Sequence, residues 1–70
     1  MMENYEKRYV WTTVEELAEG MTWFELYREA RRLYSLAYAY EAQNRPDIVV
    51  RVEDDLERVE AAMRFQGGSR

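Results

Sequence analysis

Chemistry in a protein needs groups that move protons, attack an electrophile or hold a metal, and this chain is short of them. It has no His and no Cys. That removes the commonest general acid–base, the thiolate nucleophile and the usual nitrogen and sulfur zinc ligands. Ser35 and Ser69 are the only serines, and the sequence places no base beside either. The densest run of titratable groups is Glu53-Asp54-Asp55-Leu56-Glu57. Paired carboxylates can act as acid and base, or bind Mg²⁺ or Ca²⁺ through oxygen. On a helix, however, steps of about 100° spread these acids around the solvent side instead of converging them. The run also lacks the Gly-containing spacing of an EF-hand loop. Glu15, Glu16 and Glu19 read as helix-start and surface charge. Gly20 stands alone and Gly67-Gly68 lies near the C-terminus, so there is no Gly-rich phosphate loop. The residues predict no catalysis, no metal and no cofactor.

Seventy residues make one domain with a marginal core, since a chain this short buries only about 60% of its unfolded surface. Without disulfides or a metal, association is the remaining way to add buried area. Acids outnumber bases 14 to 10, for a formal charge of −4. Residues 1–46 hold eight acids and six bases, and residues 47–70 hold six and four. Neither part is a basic arm, so long-range attraction to nucleic acid or to an anionic membrane is not expected. No apolar run approaches the roughly 18 residues of a membrane span. Met1-Met2-Glu3-Asn4 has neither the basic nor the apolar region of a secretory leader. The expectation is a soluble cytoplasmic protein, and the lack of Cys fits a reducing compartment.

The elements follow from periodicity. Tyr5, Lys7, Tyr9 and Trp11 alternate with Glu6, Arg8, Val10 and Thr12. Period two favours a strand, or an extended arm at 1–12 whose aromatics cover a helical core. Thr13-Val14-Glu15-Glu16 has capping-box spacing, and a short helix at 13–20 ends at Gly20, a residue that tolerates the left-handed helix end. Thr22-Trp23-Phe24-Glu25 repeats the capping box and opens a long helix at 22–43. Asn44-Arg45-Pro46-Asp47 breaks it, because Pro lacks an N–H and pushes its predecessor out of helical geometry. Val49, Val52, Leu56, Val59 and Met63 then recur at steps of three and four, the seam of a second long helix at 47–66. Asp47–Arg51, Asp54–Arg58 and Glu60–Arg64 support it, each by about 0.2–0.5 kcal/mol. The β-branched run Ile48-Val49-Val50-Arg51-Val52 keeps a strand open as the competitor. Residues 67–70 read as a flexible tail.

The first long helix carries the sharpest signal. Trp23, Tyr27, Ala30, Tyr34, Ala37 and Tyr38 cluster on one face, flanked by Leu26, Leu33 and Tyr40. The arc spans roughly 160°, against a common apolar stripe of about 100°. One partner helix covers only part of it. The aromatics are either core, including the core of a homodimer, or an exposed surface for another protein, since Trp and Tyr dominate such sites.

Gly20-Met21-Thr22-Trp23-Phe24-Glu25-Leu26-Tyr27-Arg28-Glu29-Ala30 resembles the start of the second helix in ribbon-helix-helix regulators, with a Gly, a Ser or Thr cap, then Glu, Leu, Arg and Ala at similar spacing. The resemblance implies that residues 5–11 form a ribbon in an intertwined dimer, with Lys7 or Arg8 facing a DNA groove. Arg28, Arg31 and Arg32 make a small basic patch that such a regulator would use.

Together these readings predict an all-α protein. It would be a helical hairpin of two long antiparallel helices with a short N-terminal helix and an extended arm, assembling as a dimeric helical bundle. The expected function is non-catalytic protein–protein binding, as an adaptor, assembly factor or inhibitor, through Trp23, Tyr27, Ala30, Tyr34, Ala37 and Tyr38. The alternative is a small dimeric DNA-binding regulator contacting its site through Lys7, Arg8, Arg28, Arg31 and Arg32.

Overall fold

Two threonines start the first two helices of the computed structural model, which describes residues 5–68. The Met1–Asn4 stretch weighed above as a leader, the first part of the arm, Ser69 and the end of the tail lie outside the described residues. The Thr13 hydroxyl accepts from the Glu16 N–H at 3.1 Å, and the Glu16 carboxylate accepts from the Thr13 N–H at 2.9 Å. Thr22 and Glu25 repeat the exchange at 3.1 and 2.8 Å. Each box satisfies donors that a helix start leaves bare, and each cap stabilises its helix by about 1 kcal/mol. The helices they open are α1, Val14–Gly20, and α2, Trp23–Ala42; the third is α3, Pro46–Gly68. Gly20 closes α1 without a left-handed conformation, contrary to the expectation. The chain leaves instead through an extended Met21, whose N–H donates to the Leu17 carbonyl at 3.1 Å.

The break between α2 and α3 is built from three residues with separate jobs. Asn44 takes a left-handed φ of 60°, which Asn tolerates better than most residues. That turn lets the Asn44 N–H reach the Glu41 carbonyl at 2.9 Å and the Arg45 N–H reach the Tyr40 carbonyl at 3.0 Å. These are the paired bonds of a Schellman closure. Pro46 then opens α3, where its missing N–H costs nothing. The Arg45 carbonyl accepts from the Ile48 and Val49 N–H groups at 3.1 Å each.

Residues 48–52 are helical, which decides against the strand. A strand would put Ile48, Val50 and Val52 on one face. Here Ile48 and Val52 are fully buried while Val50 is 58% exposed, which is the helical period. α3 lies along α2: Tyr34 of α2 bonds to Glu60 of α3, and Gln66 of α3 reaches the Met21 carbonyl beside the start of α2. Leu26, Ala30, Leu33 and Tyr40 of α2 meet Ile48, Val52, Val59 and Ala62 of α3 in the buried core. The seam on α3 is rotated from the expected one, toward Ile48 and Ala62, leaving Val49 and Met63 half-buried at its edge. The α2 arc is likewise split. Leu26 and Leu33, expected as flanks, are its centre, and the Trp–Tyr stripe is its edge.

Residues 5–12 form bends and a turn, closed by the Thr12 N–H on the Tyr9 carbonyl at 3.1 Å. Tyr5 is buried and Tyr9 half-buried, but Trp11 points into solvent. The alternating pattern therefore gives neither a strand nor an even aromatic cover, because no neighbouring strand offers a ladder. α3 also runs on through Gly68, past the expected end near Gln66. Among the described residues the architecture is all-helical, and no helix is long and apolar enough to cross a membrane.

Three substitutions test the buried helical seam of α3. Val52→Asp or Val59→Asp should each cost about 3 kcal/mol or more by burying an unpaired charge, enough to unfold a domain this small. Asp54→Ala, on the exposed side, should change stability by under about 1 kcal/mol. Thermal melts followed by circular dichroism check both, and equal effects at all three positions would contradict the seam.

Candidate functional site

The two faces of the α2–α3 pair differ in kind. One is closed by the N-terminal segment and α1, held by polar side chains that rise from the helices. Asp55 sits within the α3 seam at 2% exposure. Its carboxylate accepts from the Tyr5 hydroxyl at 2.5 Å and from the backbone N–H groups of Arg8 and Tyr9 at 2.8 and 3.3 Å. This corrects the reading of Glu53-Asp54-Asp55-Leu56-Glu57 as a solvated face: Glu53, Asp54 and Glu57 are exposed, but Asp55 is buried. The signal was present in the spacing. Positions 48, 52, 55, 59 and 62 step by four and three, and the acid occupies the middle one.

Other side chains secure the same face. The Tyr9 hydroxyl donates to Glu29 at 2.5 Å, and Arg32 grips that carboxylate through two nitrogens at 3.0 and 2.8 Å. The Arg58 guanidinium donates to the Thr12 carbonyl at 2.7 Å, in place of the expected pair with Asp54. Gln66 donates to the Ala18 and Met21 carbonyls at 2.7 and 2.6 Å, which fastens the end of α1 to α3. Burial first, and the Asp55 acceptor second, push the Tyr5 hydroxyl well above the usual tyrosine range. Burial and Glu29 raise Tyr9 to about 12. The Arg32 hydrogen bonds hold Glu29 below the usual carboxylate range, against the opposing effect of its burial.

The opposite face is apolar and open. Trp23 is 51% exposed, Tyr34 54% and Tyr38 76%, with Tyr27 also on the surface. Trp23 and Tyr27 stack at 5.4 Å between ring centroids, 9° from parallel. Arg31 lies over the Tyr27 ring at 5.8 Å and donates to its hydroxyl at 3.2 Å. The Tyr34 hydroxyl donates to Glu60, which raises its pKa. Of the six residues named for this face, Ala30 is buried and Ala37 half-buried, so these two belong to the packed side of α2. Ala30 still floors a shallow groove between α2 and α3, walled by Tyr27, Tyr34 and Met63 and rimmed by Arg31, Glu60 and Arg64.

The basic residues named for nucleic acid are dispersed. Lys7 pairs with Asp54 at 2.9 Å, and Arg8 and Arg32 both face Glu29, at 3.6 and 2.8 Å. Arg28 lies over Phe24 at 5.9 Å and Arg31 over Tyr27. The ribbon implied for residues 5–11 is not formed. Ser35 is exposed on α2, and no group of three acids among the described residues is placed to hold a metal ion. Comparison of the chain with protein-family models, curated proteins and solved structures gives no match.

Asp55→Ala strands three donors at once and should cost about 2–4 kcal/mol. Amide exchange at Arg8 and Tyr9 should accelerate far more than exchange in α2; uniform acceleration would mean that Asp55 supports the whole core instead of the segment.

The tyrosines make a pH prediction. A tyrosine ionises at about 10 in the unfolded chain, and Tyr5 and Tyr9 ionise later when folded. Their contribution is whole below about pH 10 and is lost as pH rises through the folded values. Glu29 works the other way: its contribution is present above the unfolded value of about 4.3 and is lost as pH falls through its lowered folded value. Urea unfolding between about pH 9 and 12 should show stability falling with pH, and Tyr9→Phe should flatten that slope.

Proposed function

We propose that this protein is a small non-catalytic protein–protein interaction module, an adaptor, assembly factor or inhibitor, built as a helical hairpin that docks through the aromatic face of α2. One observation carries the reading: Trp23, Tyr27, Tyr34 and Tyr38 are exposed together on the face opposite the N-terminal segment. At about 100° per residue the four fall within roughly 60° of one another, so they form a line and not a scatter. Large exposed aromatics in one patch mark association surfaces, because their burial is the main gain when a partner covers them. The stacked Trp23–Tyr27 pair and the Arg31 guanidinium laid on Tyr27 hold part of the patch in place before binding, which reduces the ordering entropy a partner must offset.

The arrangement of charge favours this reading over nucleic-acid binding. Lys7 pairs with Asp54, and Arg8 and Arg32 share Glu29, on the closed face. A phosphate-binding surface needs unpaired cations gathered together.

The test is a pair of substitutions at the two ends of the stripe. Tyr38→Ala should lower the melting temperature little and Trp23→Ala somewhat more, since Tyr38 is 76% exposed and Trp23, 51% exposed, stacks on Tyr27. Each should weaken partner binding by about 2 kcal/mol at a true hot spot. Immobilised wild type and the double variant are compared for the proteins they retain from native lysate. Identical retention, with a lowered melting point, would assign the stripe to folding and move the docking surface elsewhere.

A further inference from the structure

We infer that the aromatic face binds a second copy of this chain, with the two α2 helices crossing antiparallel about a twofold axis between Ala30 and Arg31. The inference rests on the docking face proposed above and names its partner. A twofold axis through an antiparallel helix pair brings together positions equally spaced on either side of one point. Trp23 and Tyr38 are equidistant from the point between residues 30 and 31, and so are Tyr27 and Tyr34. The stripe is therefore its own complement: Trp23 meets the other copy's Tyr38, and Tyr27 meets the other copy's Tyr34. Ala30, on the groove floor, leaves room at the crossing. Arg31 turns from the axis onto its own Tyr27, so the two copies' guanidiniums diverge.

Charge follows the same symmetry. The groove has Arg64 toward the Tyr27 end and Glu60 beside Tyr34. Reversing one copy on the other sets each Arg64 against the opposing Glu60, giving two ion pairs at the rim. Arg64 is exposed, and among the described residues it has no acid partner within its own chain. A parallel arrangement, with its twofold axis along the helices, would carry the two α3 helices to opposite flanks of the α2 pair and leave Arg64 and the other copy's Glu60 apart. The surface is thus complementary to itself in one sense only.

The experiment uses the full chain and sedimentation equilibrium up to high micromolar concentration. Wild type should sediment as two copies. R64E alone and E60R alone each set like charges together twice, and each should sediment as one copy that keeps wild type's helical circular-dichroism spectrum but melts lower, since it has lost the stabilisation of pairing. An equimolar mixture of R64E with E60R should again give two copies, one of each by native mass spectrometry, because the acids of one now face the arginines of the other. As an independent reading, Tyr27→Cys mixed with Tyr34→Cys should oxidise to a disulfide-joined pair containing one of each, which the Cys-free parent makes unambiguous. A wild type that stays single at high micromolar concentration overturns the inference and leaves the docking face to its own Trp23 and Tyr38 test. A pair that neither charge reversal weakens, or a mixture that stays single, overturns the antiparallel register.

Discussion

A carboxylate inside a helix seam must find donors or impose a desolvation cost of several kcal/mol, and Asp55 finds three. All come from residues 5–9, which no secondary structure would otherwise hold. The polar group that looks like a flaw in the α2–α3 interface is what orders the N-terminal segment. Once Tyr5 and the backbone at 8–9 are fixed there, Tyr9 is delivered to Glu29, and the Arg58 guanidinium reaches the Thr12 carbonyl just before α1 begins. The segment, α1 and the helix pair become one unit. Among the described residues no buried side-chain nitrogen or oxygen lacks a partner.

That arrangement divides the surface of α2. The flank bearing Glu29 and Arg32 is covered and electrostatically latched, while the flank bearing Trp23, Tyr27, Tyr34 and Tyr38 is left bare. A chain this short has few ways to gain buried area. It fills one groove with its own N-terminal segment and keeps the more aromatic side open. Closed polar face and open apolar face are two results of one choice, made by where the acid sits on α3. Arg64 and Glu60, one turn apart on α3, give the rim of the open groove a charge of each sign.

Several features were legible residue by residue. The two capping boxes needed only Thr and Glu three apart, because the bonds they make are local. The Asn44-Arg45-Pro46 break was legible through Pro46, which acts on its own backbone; the left-handed turn at Asn44 came only with the structure. The helical reading of residues 48–52 rested on period, and burial of Ile48 and Val52 with exposure of Val50 is that period made physical. The absence of His and Cys is a fact of composition.

What local pattern could not decide was partnership. An apolar pattern scan steps over an acid, so Asp55 read as solvent-facing and the α3 seam was placed slightly off its true line. Alternation at residues 5–11 signalled a strand, but a strand exists only if another backbone pairs with it; these N–H groups met a side-chain carboxylate instead. The width of the α2 apolar arc was evident in the sequence, and which part of it faces inward was not. Leu26 and Leu33 went inside, and the Trp–Tyr stripe stayed out, because α3 and the N-terminal segment together reach only so far around the helix. Helix, cap and break are set by neighbours in the chain, while burial is set by neighbours in space, and only the tertiary structure brings those together.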